Sequence, residues 1–272
     1  MQYVNTAAGL TYSYSAAVKL AAGIFAKQVY MRLRGTRKKD SYAFCGWIPP
    51  VLRGPLHFRY LRRRGVRPAQ VRAYRLTYFP LHQEPESALL NLSPEFNNSM
   101  ELIAWVSKSL PADALLVVKE NPWSFGIRSK KYYKTLIKIP NVVFAHPEIP
   151  SREWIERARV TLTITGTAGF EAVYLKRPVL SFGKHQVINK LPTVRYSTDF
   201  FTTRRAVREL LDLEPGDEAF ERSRNALHKA LWEVSFSLPG YARLYKDTGL
   251  HLDIAQRAVQ RLHEEYPWIF RA

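Results

Sequence analysis

The sequence predicts an α/β fold built on a parallel sheet, and three observations carry that expectation. From about Ala73 onward, short β-rich runs alternate with helical patterns. One of those runs, Ala114–Lys119 (ALLVVK), is continuously apolar, as a strand covered on both faces should be. The spacing of strands and helices matches βαβ units, which parallel strands need for their crossovers.

The elements follow in chain order. Tyr14–Arg34 (YSAAVKLAAGIFAKQVYMRLR) is helical in pattern. At 100° per residue, Lys19, Lys27 and Arg34 fall near one face and leave Leu20, Ile24, Val29 and Met31 in an apolar surface. Pro/Arg-rich linkers run from there to about Arg72. Tyr74–Pro80 reads as the first strand, Asn98–Leu110 as a helix and Ala114–Lys119 as the second strand. A helix near Arg128–Ile139 leads to the strand Asn141–Ala145. Ser151 is the expected N-cap of the helix SREWIERAR, with Glu153 in its first turn. Val160–Thr165 is a β-branched strand, Phe170–Leu175 a helix and Pro178–Phe182 a further strand. A helical C-terminal tail follows, over Arg204–Leu211, Asp217–Ser235 and Leu252–Glu264. Two regions result: a basic helical N-terminal segment with its linker over 1–72, and a sheet domain with C-terminal helices over 73–272.

Composition bounds the function. With 272 residues, 46% hydrophobic and 24% charged, the chain is neither disordered nor fibrous. The single cysteine, Cys45, excludes a disulfide framework and a cysteine-rich zinc site, and fits a reducing compartment. The formal charge is +18, from 41 basic and 23 acidic side chains. Residues 1–75 hold 15 of the basic residues and one acid, Asp40, for a net +14, and the rest of the chain carries only +4. An anionic partner is therefore expected at the N-terminal segment. Arg53–Arg75 alone packs eight arginines among Phe58, Tyr60 and Tyr74. Three readings of this segment stand open: an anionic membrane surface, nucleic acid, or a helix packed on the core with a solvated basic linker. Nucleic acid is the least favoured. The best candidate span, Tyr14–Arg34, is interrupted by Lys19 and Lys27, and the N-terminus has no signal-peptide pattern. The expected location is cytoplasmic, with contact at the inner face of the cytoplasmic membrane left open.

In parallel sheets, ligands bind at the C-terminal ends of the strands. That rule selects the loops Leu81–Ser87, Glu120–Gly126, His146–Ser151 and Gly166–Gly169. The last is the most informative. A small-residue turn, Gly166-Thr167-Ala168-Gly169, joins a strand end at Thr165 to a helix start, where free N–H groups and the dipole attract phosphate. Glu171, in the first turn of that helix, has the chemistry to accept two ribose hydroxyls, and it also complements the dipole. Lys119 ends the second strand as a point charge for phosphate. In LHQEPES, His82 is a candidate donor to phosphate or sugar, with Glu86 to orient it or act as base. No second His lies near enough in sequence for a metal pair. His146 after the third strand is similarly placed. Each of these residues also has a plain structural reading, as a turn, a solvated loop or a packed histidine.

The series FPLHQEPES, VVKENPWSFGIRS, NVVFAHPEIPS and TITGTAGFEAVYLKRPVLSFG resembles the bacterial capsule polysaccharide biosynthesis family, which includes Kdo transferases. The resemblance covers about Tyr74 to Val187. It implies a Rossmann-like fold of the kind found in the C-terminal domain of GT-B glycosyltransferases, and transfer of Kdo or a related sugar from a CMP-activated donor to a lipid-linked acceptor. By that resemblance Thr165, Gly166, Thr167, Ala168 and Gly169 form the phosphate turn and Glu171 holds the ribose. Lys119 adds positive charge near the leaving phosphate, and His82 and Glu86 line the sugar side as the catalytic candidates. The second motif reads KENP where the family pattern is KEHP, so Asn121 offers a hydrogen bond without charge. No metal or other cofactor is implied; the nucleotide sugar is the substrate. Only about 73 residues precede the first strand, too few for the first GT-B domain. A fragment, a stand-alone divergent chain and a site completed by a partner subunit are the resulting expectations. A non-catalytic nucleotide-sugar-binding remnant is the alternative function.

Overall fold

The computed structural model describes residues 13–35, 46–84, 86–214, 217–234 and, within 256–264, all but 258 and 262. Six parallel strands form one sheet in the order β3-β2-β1-β4-β5-β6. They are β1 Arg75–Pro80, β2 Ala114–Lys119, β3 Val142–Phe144, β4 Val160–Thr163, β5 Val179–Ser181 and β6 Val194–Tyr196. This is the Rossmann order, and the direction of winding reverses between β1 and β4. The α/β expectation from strand spacing is borne out.

Register explains the two-sided burial. Tyr78 pairs with Val117 and Thr161, and Thr161 with Val179, so these residues share one face. That face meets α6 (Ser151–Arg157) and α7 (Ala168–Tyr174), and Trp154 stacks on Tyr78 at 6.5 Å. Their neighbours Phe79, Val118, Leu162 and Leu180 point the other way, as alternate strand residues must. They form the main core with Leu102, Ile103 and Val106 of α4 (Ser99–Ser109), Tyr133 and Leu136 of α5 (Lys130–Leu136), and Val207 and Leu210 of α8 (Phe200–Leu211). Asp199 caps α8 by accepting from the N–H groups of Phe201 and Thr202.

The N-terminal stretch differs from a linker. Residues Ile48–Arg64 form a helix, α2, after the first helix α1 (Tyr14–Leu33). Its prolines Pro49 and Pro50 occupy the first helical turn, where no intrahelical N–H is needed. Leu61 is buried in the main core, and Gly54 lies against the Phe125 carbonyl, a Cβ there meeting that oxygen at 3.3 Å. Burial on the sheet domain thus outweighs the cost of the interior Pro55. After α2, Val66 bridges Ala145 in parallel, donating to the Phe144 carbonyl and accepting from His146 N–H. In α1 the buried residues are Ala17 and Ala21. Of the expected apolar surface, Ile24, Val29 and Met31 are half-buried and Leu20 is exposed. No helix among the described residues is long and apolar enough to cross a membrane.

One local expectation is corrected, and two short elements are added to those expected. Ser151 is the first helical residue of α6 rather than its cap; Pro150 holds the cap position, with no side-chain bond. The loop after β1 closes into a short helix, α3 (Ser87–Leu92), anchored by buried Leu89. The edge strand β6, three residues long, lacked enough apolar length to be read from sequence. The helix expected over 217–235 is α9 (Glu218–Val234). Contacts divide the chain into two compact units, Met1–Arg224 and Asn225–Ala272. Cys45, Asp40 and much of the expected helix 252–264 lie outside the described residues.

Candidate functional site

The winding reversal between β1 and β4 places the loop after β1 against the turn after β4. His82, 7% exposed, follows β1, and its Nδ1 lies 3.3 Å from Glu86 Oε2. That bond holds the Glu86 carboxyl below its ordinary range, against the upward push of burial. An ionised carboxylate only accepts, so in the neutral ring Nδ1 carries the proton and Nε2 is the acceptor. The ring edge faces Gly166: a Cβ there would stand 3.0 Å from His82 Cε1 and 3.6 Å from Nε2. A side chain here would press on the imidazole, and glycine leaves it room.

The rest of the turn is fixed from below. Thr163 Oγ1 donates to the Gly166 carbonyl at 3.0 Å. Thr167 Oγ1 donates to Glu171 Oε1 at 3.3 Å, which draws the Glu171 carboxylate over the start of α7. Thr167 makes no side-chain cap on α7, so its hydroxyl does not consume the first helical N–H groups. Ala168 is the first residue of that helix. Thr165 Oγ1 is buried with no hydrogen-bond partner. Gly169 serves packing instead, because a Cβ there would meet Ile188 Cδ1 at 2.6 Å and Thr163 Cγ2 at 2.8 Å. It lets α7 pack closely on β4, as the third glycine of dinucleotide turns does.

A second group lies over β2 and β3. Lys119 is buried and donates to the Pro147 carbonyl at 3.1 Å, tying the second strand to the loop after the third. Burial lowers its pKa to about 8, with Glu120 opposing. His146 is buried beside Arg67, whose Nη2 is 3.4 Å from His146 Nε2. Burial, then the Arg67 charge, pushes this imidazole below its usual value, Glu148 working against them. Asn121 is turned into its own loop, its side chain accepting from Trp123 N–H at 2.9 Å. The structure thus joins His82, Glu86 and Gly166 at one point, pairs Thr167 with Glu171, sets Lys119 and His146 at a neighbouring one, and uses Asn121 as a turn cap. Among the described residues no cluster of three or more His, Cys, Asp or Glu is placed to hold a metal ion.

The Lys119 geometry makes a stability prediction. In the unfolded chain its pKa returns to about 10.5, so between about pH 8 and that value the unfolded chain binds more protons. Stability rises with pH wherever this holds, so burial of the charged amine costs about 3 kcal/mol below that window and progressively less through it. Urea denaturation across the window is expected to show this rise in the natural protein. It should flatten in Lys119→Met, and an identical slope in the two would show that Lys119 is solvated.

Two features escaped sequence reading. Arg128 and Tyr133 form a buried cluster with Glu120 under the His82 loop; in GIRSKKYYK nothing distinguishes that arginine from surface cations. The loop after β5 also reaches the rim. Gly183 lies so close to Ile164 that a Cβ would stand 2.0 Å from its carbonyl oxygen, and Lys184 and His185 beyond it are exposed. Applying the strand-end rule to this strand as well would have selected it.

A model of the capsule polysaccharide biosynthesis protein family matches residues 30–187, more than half of the chain. No curated protein sequence matches it. Among solved structures, the chain is similar to the glycotransferase of kitacinnamycin, at 22% identity over 61% of this chain and 41% of that one, with a TM-score of 0.39. It is also similar to UDP-GlcNAc 2-epimerase from Methanocaldococcus jannaschii, at 9% identity over 75% and 59%, with a TM-score of 0.42. A third is the S. aureus MnaA-UDP co-structure, at 16% over 60% and 47%, with a TM-score of 0.39. The chain spans between 41% and 59% of the lengths of these three proteins.

Proposed function

The chain belongs to the capsule polysaccharide biosynthesis family, and from that premise we propose that it is a glycosyltransferase whose donor site lies at the β1/β4 winding reversal. The observation that carries this reading is the His82–Glu86 pair set against the Gly166 turn. The donor is a nucleotide sugar, with CMP-activated Kdo or a related sugar as the specific proposal, and the acceptor a lipid-linked glycan.

In this reading the nucleotide phosphate sits on the Gly166–Gly169 turn, where Thr165 and the first N–H groups of α7 donate to it. Glu171, held by Thr167, accepts the ribose hydroxyls. His82 Nε2 removes the proton of the attacking acceptor hydroxyl. That oxygen bonds to the anomeric carbon as the bond from this carbon to the phosphate oxygen breaks, and the electron pair leaves with CMP. Glu86 stabilises the imidazolium that forms. Lys119 and His146 line the far side, Lys119 adding positive potential. The chemistry needs no metal, since positive charge and helix N–H groups take up the charge of the leaving group. The acceptor half of the cleft comes from a second domain or a partner subunit. Residues 1–75, with exposed Lys19, Lys27, Arg53 and Arg59 beside exposed Val18, Leu20 and Leu56, face an anionic membrane surface where a lipid-linked acceptor resides.

The test is a nucleotide panel of CMP, UDP, GDP and ATP read by calorimetry on the whole chain. CMP is expected to bind selectively, and Glu171→Ala to weaken it about 10–100-fold, the loss of hydrogen bonds to a charged group. Salt-sensitive flotation with anionic vesicles is the companion result. No nucleotide bound, or CMP affinity unchanged in Glu171→Ala, would move the donor site elsewhere. Vesicle binding that ignores salt would remove the electrostatic role of residues 1–75.

A further inference from the structure

Arg128 precedes α5 and lies outside the loops that carry His82, Glu86 and Gly166, yet its guanidinium reaches the backbone of His82. Its side chain is 5% exposed. Nη2 donates to the His82 carbonyl and stands 3.4 Å from Glu84 Oε1, while Nη1 donates to Glu120 Oε1. Glu120 is itself held in place, accepting from Tyr133 Oη at 2.8 Å and from Asn121 N–H at 2.7 Å. One guanidinium thus ties the end of β1 to the end of β2 and grips the His82 loop twice, at a carbonyl and at a carboxylate two residues on.

From this arrangement we infer that Arg128 is the positioning residue of the His82–Glu86 pair. A buried ion pair is a poor way to gain stability, because desolvation offsets most of its attraction. What it supplies is direction. The planar guanidinium presents a rigid fork of donors that spans two acceptors at fixed angles, which a lysine ammonium on a flexible stem does not do. The anchored His82 backbone sets the imidazole between Glu86 and Gly166, a clearance that a small shift of the loop would close. Burial pushes the Glu120 carboxyl upward, and Arg128 and the Tyr133 hydroxyl hold it against that push. Arg128 touches neither donor nor acceptor and acts through His82. The inference rests on reading His82 and Glu86 as the reacting pair.

The experiment needs no nucleotide, so a failed positioning role and a failed transferase reading remain distinguishable. Imidazole ring signals of the whole chain, labelled with 15N-histidine, are recorded by long-range NMR correlation, and His82 is assigned by its loss in His82→Gln. The natural protein is expected to show His82 as one tautomer with the proton on Nδ1. Arg128→Lys keeps the charge and loses the fork; His82 is expected to become a mixture of both tautomers while the His146 signals stay in place. Glu84→Gln, which leaves the Arg128–Glu120 pair intact, is expected to move His82 the same way by less. Natural-type His82 signals in a folded Arg128→Lys protein overturn the inference. If Arg128→Lys does not fold, unchanged His82 signals in Glu84→Gln overturn it instead.

Discussion

Gly126→Ala is expected to be among the most destabilising single-methyl substitutions in this chain. Gly126 has φ +91°, a backbone conformation that side chains resist, and a Cβ there would stand 1.9 Å from the Pro50 carbonyl oxygen and 2.8 Å from Gly54 N. Holding an alanine in that backbone conformation costs about 1–3 kcal/mol. Overpacking against backbone that has no rotamer to yield costs about as much again. The Pro50 and Gly54 partners belong to α2, so the loop must lift away from that helix. The expected result in urea denaturation is a large fall in midpoint, with earlier proteolytic cleavage within 46–64. Gly35→Ala is the control: its φ is also positive, at +65°, but nothing lies within 4 Å of a Cβ there. Equal losses in the two variants would mean that the close approach of α2 to this loop is not present in solution.

The second large effect concerns turnover. Under the proposed transferase chemistry, His82→Gln lowers the rate of CMP release from CMP-Kdo, with a lipid-linked acceptor present, by about 10²–10⁴-fold, the range for loss of a positioned general base. Glutamine keeps a polar side chain of similar reach but cannot take up the proton. The expected change is in kcat, with donor affinity nearly intact, because the phosphate turn and Glu171 are untouched. Glu86→Gln should lower the rate by less, since the imidazole keeps its anchor through the Arg128 bond to its backbone. Full turnover by His82→Gln would remove His82 from the chemistry and leave it a packing residue of the Gly166 turn.

Much of the sheet was legible because its cause is local. ALLVVK and VTLT are continuous apolar or β-branched runs, and the matching strands Ala114–Lys119 and Val160–Thr163 are buried at every position but half-buried Leu115. The helix α4 lies within the expected Asn98–Leu110, α8 starts at Phe200, four residues before the expected Arg204, and α7 follows the small-residue turn ahead of it. The placement of His82, Lys119, His146 and Gly166 at strand ends also followed from sequence, because the strand-end rule depends only on chain direction.

The tertiary structure decided what those residues touch. Sequence order did not reveal that β4 would lie beside β1, and it is that neighbour relation that sets His82 against Gly166. Arg128 looked like any cation in a basic stretch until the fold buried it between Glu120 and the His82 carbonyl. Asn121 and Gly169 have compositions suited to a ligand, yet the fold uses one as a turn cap and the other for helix packing. Pro-rich Ile48–Arg64 became a helix because it could bury Leu61 on the sheet domain, a gain that no local propensity records. Strand pattern and chain direction are local properties, carried by each segment alone. Partner choice is non-local, and only the packed sheet determines it.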